Sequence, residues 1–311
     1  MSGDGEPGRV LHVLTGCTAV GKTEWALRWA ESRSAEIISC DSLLFYRGMD
    51  IGTAKPAGAL RARVPHHLID IRDISEPMNV SLYSSMARAS AEDIASRGRP
   101  VLVVGGSGFY LKSFFAPVSD GIHVSPEVRA RVASTMEAGG LAALMDELLR
   151  LNPGGLGGID VANPRRVEGA LGRCLASGLT LEEIAARFSG APSPFAGWDV
   201  RISRIDRGAA AMEARIVARV EGMIRAGLVD EVSRLLGVGL RSNPSAAAAI
   251  GYRETIEVLE GRAGMEGLAG AIVRDTKALV KKQRTWFRTQ LPPHTVLDAA
   301  DPASEARLFL G

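Results

Sequence analysis

Eight residues near the N-terminus, Gly16 to Thr23 (GCTAVGKT), constrain this chain more than any other stretch. They match the spacing G-x-x-x-x-G-K-[ST] of a phosphate-binding loop. The flanks match as well. Val10 to Leu14 (VLHVL) is a short apolar run that predicts a buried strand, and Thr23 to Ala30 (TEWALRWA) predicts a helix opening directly after the loop. Glycines at the set positions let the backbone fold tightly, so that successive N–H groups point at phosphate oxygens. The helix N-terminus adds its partial positive charge. Lys22 is placed to bridge outer phosphates, and the Thr23 hydroxyl to ligate Mg²⁺.

Two further strand-to-loop junctions follow. Glu36 to Ser39 (EIIS) predicts a second strand, ending at Cys40 and Asp41. Ligands of open α/β sheets gather at the carboxyl ends of strands, which places Asp41 near the phosphate loop. Ser81 to Arg97 reads as a helix with Leu82, Met86, Ala89 and Ile94 toward one face. Val101 to Val104 then reads as a strand, and Gly105-Gly106-Ser107-Gly108 follows at once. Junctions of this kind alternating with helices predict a parallel, doubly wound sheet. Ser125 to Phe188 reads as successive helices broken by Gly and Pro. The expected organisation is therefore a core over 1–121 and 197–311 with a helical insertion over 122–196. Asp199 to Ile205 (DVRISRI) alternates as a strand. Helices are predicted over Ala209 to Arg225, Asp230 to Leu236, Ala246 to Leu259 and Gly270 to Thr289, with Thr295 to Leu297 as a last short strand.

Composition narrows the function classes. A chain of 311 residues with 46% hydrophobic and 23% charged residues can bury a sizeable core. A net charge of +2 excludes a polycation, so any nucleic-acid surface is a local patch. Cys17, Cys40 and Cys174 have no paired spacing, which points to reduced thiols and away from a zinc site. Met1 to Arg9 carries no apolar signal region, and no run approaches the length of a membrane span. A cytoplasmic protein without a membrane partner is expected.

Four constellations carry chemistry. Asp41, on the loop after the second strand, reads as a general base, as a Mg²⁺ ligand, or as a cap of the following turn. The Gly105 to Gly108 junction can bring backbone N–H groups and the Ser107 hydroxyl to a ligand, or it is a flexible turn. His66-His67, near Asp70 and Asp73, lacks helical metal-site spacing and a cysteine partner, so a structural or substrate-lining loop is expected there. Lys277 to Arg288 (KALVKKQRTWFR) interleaves five basic residues with Trp286 and Phe287 and contains no acid. Cations of this kind neutralise phosphates, and aromatic planes stack unpaired bases. Arg165-Arg166 adds a weaker basic spot in the insertion.

These residues resemble the tRNA dimethylallyltransferase (tRNA isopentenyl transferase) family along nearly the whole chain. The matching stretches are T-A-x-G-K-T at Thr18 to Thr23, Asp41-Ser42, Y-R-G-M-D-I-G-T-A-K-P at Tyr46 to Pro56, and P-H-H-L-I-D at Pro65 to Asp70. They continue with Gly105-Gly106, S-P-E-V-R-A-R at Ser125 to Arg131, I-G-Y-R-E at Ile250 to Glu254, and K-Q-x-T-W-F-R at Lys282 to Arg288. The resemblance implies a P-loop NTPase-like α/β core with an inserted, all-helical tRNA-binding subdomain. It implies transfer of a dimethylallyl group from its diphosphate to the exocyclic amine of an adenine beside the anticodon of tRNA, with Mg²⁺ as cofactor. In that reading the phosphate loop (Gly16, Thr18, Ala19, Gly21, Lys22, Thr23) holds the prenyl diphosphate, Thr23 holds the metal, and Asp41 takes the amine proton. Ser107 stands where the family has Thr. Arg219, in the R-I-x-x-R pattern of Arg215 to Arg219, is the arginine that faces the diphosphate. For tRNA the resemblance implicates Asp41, Ser42, Leu43, Leu44, Ser107, Arg129, Arg165, Arg166, Gly251, Tyr252, Arg253, Lys281, Lys282, Gln283, Arg284, Trp286 and Arg288. Ala248 and Ala249 replace larger or polar residues, and Lys277 and Lys282 stand where arginine is usual, which loses arginine's forked pairing with phosphate. The family also implies a monomer. Three other readings use the same loop: a small-molecule kinase, an RNA-binding module holding a structural nucleotide, and a prenyltransferase acting on free adenine nucleotides.

Overall fold

The computed structural model describes residues 9–310, so most of the Gly-rich start, Met1 to Gly8, lies outside the described residues. Six strands form one sheet: β1 (Arg9–Gly16), β2 (Glu36–Ser39), β3 (His66–His67), β4 (Val101–Gly105), β5 (Trp198–Asp206) and β6 (Thr295–Asp298). Their order is β3-β2-β4-β1-β5-β6, and every neighbouring pair is parallel. The inner strands of a parallel sheet are covered on both faces, which is why β2 and β4 are apolar runs while β5, beside the edge strand β6, alternates. Leu11, Leu14, Ile38, Leu102 and Val103 are accordingly sealed from solvent. The chain builds outward from β1 on one side and returns to build on the other. The carboxyl ends of β1 and β4 therefore open onto the crevice where such sheets bind ligands.

The helices of the core are α1 (Lys22–Arg33), α2 (Gly58–Arg63), α3 (Val80–Ser96) and the short α4 (Gly108–Leu111) before the insertion. The insertion holds α5 (Pro126–Leu151), α6 (Pro164–Ser177) and α7 (Leu181–Ser189). After it come α8 (Ala209–Arg225), α9 (Leu228–Gly237), α10 (Pro244–Ala247), α11 (Tyr252–Leu259) and α12 (Leu268–Gln290). Two compact units result: one takes the chain up to Ala116 and from Pro194 onward, the other is Pro117–Ser193. Among the described residues no helix is long and apolar enough to cross a membrane.

The helical unit has its own core, which includes Leu144, Leu148, Val167, Leu171, Cys174 and Ile184. Ser125 caps α5, followed by Pro126 at the first turn, and Gly140 (φ 63°, ψ −158°) kinks the helix midway. Asn152, almost fully buried, donates to Leu148 O at 2.8 Å and accepts from Leu181 N at 2.6 Å. That one side chain fastens the end of α5 to the start of α7.

Two local expectations are corrected. The helix predicted over Ala246 to Leu259 is broken into α10 and α11, because Gly251 adopts φ 92° and donates its N–H to Glu254 Oε2 at 2.6 Å. The His66-His67 pair is not a loop but the edge strand β3, paired with Ile37 and Ile38. His67 Nε2 meets Glu36 Oε2 at 2.7 Å, and Arg97 Nη2 donates to the same oxygen at 2.8 Å. These contacts between distant segments, invisible in a two-residue window, hold the strand in place.

Candidate active site

The phosphate loop joins β1 to α1 in a conformation only its own residues allow. At Gly16 a Cβ would lie 2.5 Å from Ile205 O, so the backbone of β5 passes too close for any side chain. Gly21 adopts φ 106° as it opens α1, and Ala19 takes the left-handed region at φ 63°. The loop is braced from two sides. Arg215 Nε donates to Ala19 O at 2.8 Å. Gln283 on α12 accepts from Thr18 N at 3.0 Å and donates to Gly106 O at 2.9 Å, tying this loop to the one after β4. A Cβ at Gly106 would stand 2.8 Å from Gly16 O, so that approach also requires glycine.

Lys22 Nζ donates to Gly16 O at 2.8 Å and to Cys17 O at 2.9 Å, which leaves one of its three N–H donors for a ligand. Desolvation lowers its pKa to about 8, against the opposing field of Asp41. Arg219 Nη2 donates to Thr53 O at 3.1 Å; burial lowers its pKa too, and Asp41 again opposes the shift. Asp41 is thus the carboxylate that both desolvated cations feel. Its Oδ1 accepts from Leu43 N at 3.0 Å, so it does cap the following turn, while Oδ2 has no hydrogen-bond partner among the described residues. Turn cap and reactive group are compatible, one oxygen for each.

Two cavities open on this crevice within the core unit. The first, about 710 Å³, runs from Thr18, Lys22 and Thr23 across Asp41 and Leu44 to Ile37, Leu60 and His66. The second, about 550 Å³, is walled by Ser42, Leu43, Ser107, Phe109, Lys282 and Trp286. Six residues line both: Thr18, Asp41, Thr53, Gly106, Arg219 and Gln283. Asp41 therefore stands where one cavity gives onto the other.

The remaining expected residues divide clearly. Gly21 and Ala19 line the first cavity, and Ser107 lines the second as the residue preceding α4. Trp286 lies against Gly108, where a Cβ would meet the indole at 2.5 Å, and both Trp286 and Gln283 are half-buried. Lys281, Lys282 and Arg288 are exposed along α12. Arg129, Arg165 and Arg166 are exposed on the helical unit. Three residues expected at tRNA have other work here. Tyr252 is fully buried, and its hydroxyl donates to Glu231 Oε1 at 2.7 Å. Arg253 pairs with Glu254 and Asp275. Arg284 donates to Arg207 O at 2.6 Å and to Asp206 Oδ1 at 3.1 Å. Gly251 is buried at the break before α11.

Sequence reasoning missed Glu231. This carboxylate, 1% exposed, accepts from Asp50 N at 3.0 Å, Ile51 N at 2.7 Å and Gly52 N at 3.1 Å as well as from Tyr252. It holds the Asp50 to Thr53 segment whose Thr53 carbonyl receives Arg219. Gly52 passes so near the Tyr252 ring that a Cβ would lie at 2.5 Å. Lys55 closes the same segment, with ion pairs to Asp50 at 2.6 Å and Asp70 at 2.5 Å.

A family model described as IPP transferase matches residues 44–290. The tRNA dimethylallyltransferase of Opitutus terrae is 61% identical over 299 residues, 96% of each chain. That of Roseiflexus sp. is 39% identical over 95% of this chain and 96% of its own. Among solved structures, a tRNA isopentenylpyrophosphate transferase from Bacillus halodurans aligns with a TM-score of 0.66 at 31% identity, covering 94% of this chain and 90% of that one. A eukaryotic dimethylallyltransferase acting on tRNA shares the fold with a TM-score of 0.80 at 21% identity, over 96% of this chain and 76% of that one.

Proposed function

The chain belongs to the tRNA dimethylallyltransferase family, and from that premise we propose how its two cavities divide the reaction. The enzyme is a prenyltransferase acting on tRNA. The first cavity takes dimethylallyl diphosphate, with the diphosphate on Gly16 to Thr23 and the hydrocarbon toward Leu60. The second takes an adenine swung out of the anticodon loop. The observation that carries this division is the shared wall: Asp41 borders both cavities, so it can meet an acceptor amine at the donor's reactive carbon.

The residues supply what each partner lacks. Ionising the allylic carbon–oxygen bond builds negative charge on the leaving diphosphate, and fixed cations stabilise it most where water is excluded. Lys22 and Arg219, desolvated and each held by a backbone carbonyl, are such cations. The adenine amine is a poor nucleophile because its lone pair is delocalised, and Asp41 Oδ2 accepts the proton it sheds as the carbon–nitrogen bond forms. A positioned base contributes about 10²–10⁴-fold. Ser107 and Gln283 orient the base. Trp286 offers a plane against the entering nucleotide, while Lys281, Lys282 and Arg288 attract phosphates.

Mg²⁺ fits the donor set. Among the described residues no group of three or more His, Cys, Asp or Glu forms a metal cage. Mg²⁺ commonly uses few protein ligands together with substrate phosphates. Thr23, exposed in the first turn of α1 and lining the first cavity, would hold it with Asp41 nearby. Bound there, the ion would add charge neutralisation of the diphosphate. Arg129, Arg165 and Arg166 of the helical unit are assigned to the anticodon stem, and the enzyme to a monomer.

The test is an assay with labelled dimethylallyl diphosphate and an anticodon stem-loop, run beside labelled ATP. Transfer of label from the prenyl donor to RNA, abolished in Asp41→Ala with RNA binding retained, is expected. Phosphate transfer from ATP without prenylation would mark a kinase, and equal turnover with free AMP would mark a nucleotide prenyltransferase.

A further inference from the structure

The far wall of the donor cavity carries polar groups that a hydrocarbon cannot satisfy. Ser39, the last residue of β2, lines this cavity at 3% exposure, and its hydroxyl has no hydrogen-bond partner among the described residues. A buried hydroxyl left unpaired is destabilising, and a ligand in this cavity can supply its partner. His66 lies on the same wall. It is in register with Ile37, two residues before Ser39, so His66, Ile37 and Ser39 share one face of the sheet. Nδ1 of His66 is 2.7 Å from Val64 O. A carbonyl only accepts, so Nδ1 bears the proton and Nε2 of the neutral ring keeps its lone pair. No described residue donates to that Nε2. Ile37, Leu60, Ile69 and Val104 line the same cavity, beside Lys55.

The span is right for a short donor. β1, β4, β2 and β3 are successive neighbours, and strands lie about 4.8 Å apart. From the phosphate loop at the end of β1 to Ser39 on β2 is therefore roughly 10 Å, about the length of a diphosphate plus a five-carbon chain.

We propose that this cavity accepts an allylic five-carbon diphosphate in which one terminal methyl is replaced by hydroxymethyl, its hydroxyl donating to His66 Nε2 and accepting from Ser39 Oγ. The inference rests on the prenyl-transfer reading and extends its donor class. The chemistry stays balanced as before. The carbon–oxygen bond to diphosphate breaks, the carbon–nitrogen bond to the adenine amine forms, the amine proton passes to Asp41, and the added hydroxyl takes no part. The enzyme would thereby install an already hydroxylated group in one step.

The experiment compares the full chain and two variants on an anticodon stem-loop, with dimethylallyl diphosphate and its mono-hydroxylated analogue as donors, the two geometric isomers of the analogue tested separately. Wild type is expected to transfer the hydroxylated group from one isomer, with kcat/KM within about tenfold of the dimethylallyl value or above it. Ser39→Ala and His66→Leu are each expected to lower the ratio of kcat/KM for the hydroxylated donor to that for dimethylallyl diphosphate by about tenfold or more. Wild type that transfers dimethylallyl but neither hydroxylated isomer overturns the proposal. So do variants that affect both donors equally. Failure with every donor overturns the prenyl-transfer reading itself.

Discussion

The two cavities of the core unit meet at Asp41 yet are built in opposite ways. The donor side rests on strand ends, and its half-buried charges are anchored to backbone: Lys22 on the Gly16 and Cys17 carbonyls, Arg219 on the Thr53 carbonyl. The acceptor side is walled largely by helices, its cation Lys282 is exposed, and Phe109 stands 63% open to solvent. Charge held fixed on the backbone suits a site where charge must be stabilised as it develops. Exposed cations and aromatic planes suit a flexible polyanion that docks through many weak, salt-sensitive contacts. Each side should therefore fail in its own way when it is damaged.

The largest effect should come where the two sides meet. Asp41→Asn removes the base and keeps the shape, so kcat should fall by about 10²–10⁴ while KM for either substrate moves only a few-fold. A large rise in either KM would mean that Asp41 belongs to one cavity and not to both. On the donor side, Lys22→Met should lower kcat by about 10²–10³ without weakening the stem-loop. Its pH dependence sharpens the point. Lys22 is charged below its pKa of about 8, so kcat/KM for the donor should decline as pH rises through that value in the free enzyme. Lys22→Arg, weaker overall, should lose the decline because its guanidinium stays charged.

How legible each side was in the sequence follows from the same difference. The donor loop is contiguous: glycines, lysine and hydroxyl within eight residues dictate a strand, a tight turn and a helix by local geometry alone, and the sheet class followed from the runs after it. The acceptor side is assembled from segments far apart. Glu231 holds Asp50, Ile51 and Gly52 across some 180 residues of chain, and nothing in the stretch around Glu231 marks it as more than an acid on a helix. Tyr252 and Arg284 sit inside stretches read as RNA contacts, yet each bonds within the protein, to Glu231 and to Asp206. A motif match reports that residues matter together without saying which face water and which face Glu231 or Asp206. The short β3 was unreadable for a related reason. Its two histidines form a strand only because β2 and Glu36 hold them there.

On the acceptor side, Trp286→Ala should raise KM for the stem-loop by roughly 5–150-fold, the equivalent of about 1–3 kcal/mol of base stacking, and leave donor KM unchanged. An effect on donor KM alone would reverse the assignment of the cavities. The smallest effect on catalysis should come from Glu36, which lines neither cavity. Its hydrogen bond to Arg97, aided by His67 and opposed by burial, holds its carboxyl down at about 2, below the ordinary carboxylate value. A depressed native pKa contributes stability above the unfolded pKa, and that stability disappears as pH falls from about 4.5 toward 2. Glu36→Gln should therefore melt a few degrees lower than wild type near neutral pH and converge with it in acid. Turnover at low temperature should be unaltered.

The most direct test is a crystal structure of the ternary complex with an unreactive dimethylallyl diphosphate analogue and an anticodon stem-loop. The account predicts the diphosphate on the amides of Gly16 to Thr23, with the adenine amine in line with the allylic carbon and within hydrogen-bond reach of Asp41 Oδ2. A diphosphate seated elsewhere, or an adenine amine beyond the reach of Asp41, would contradict it.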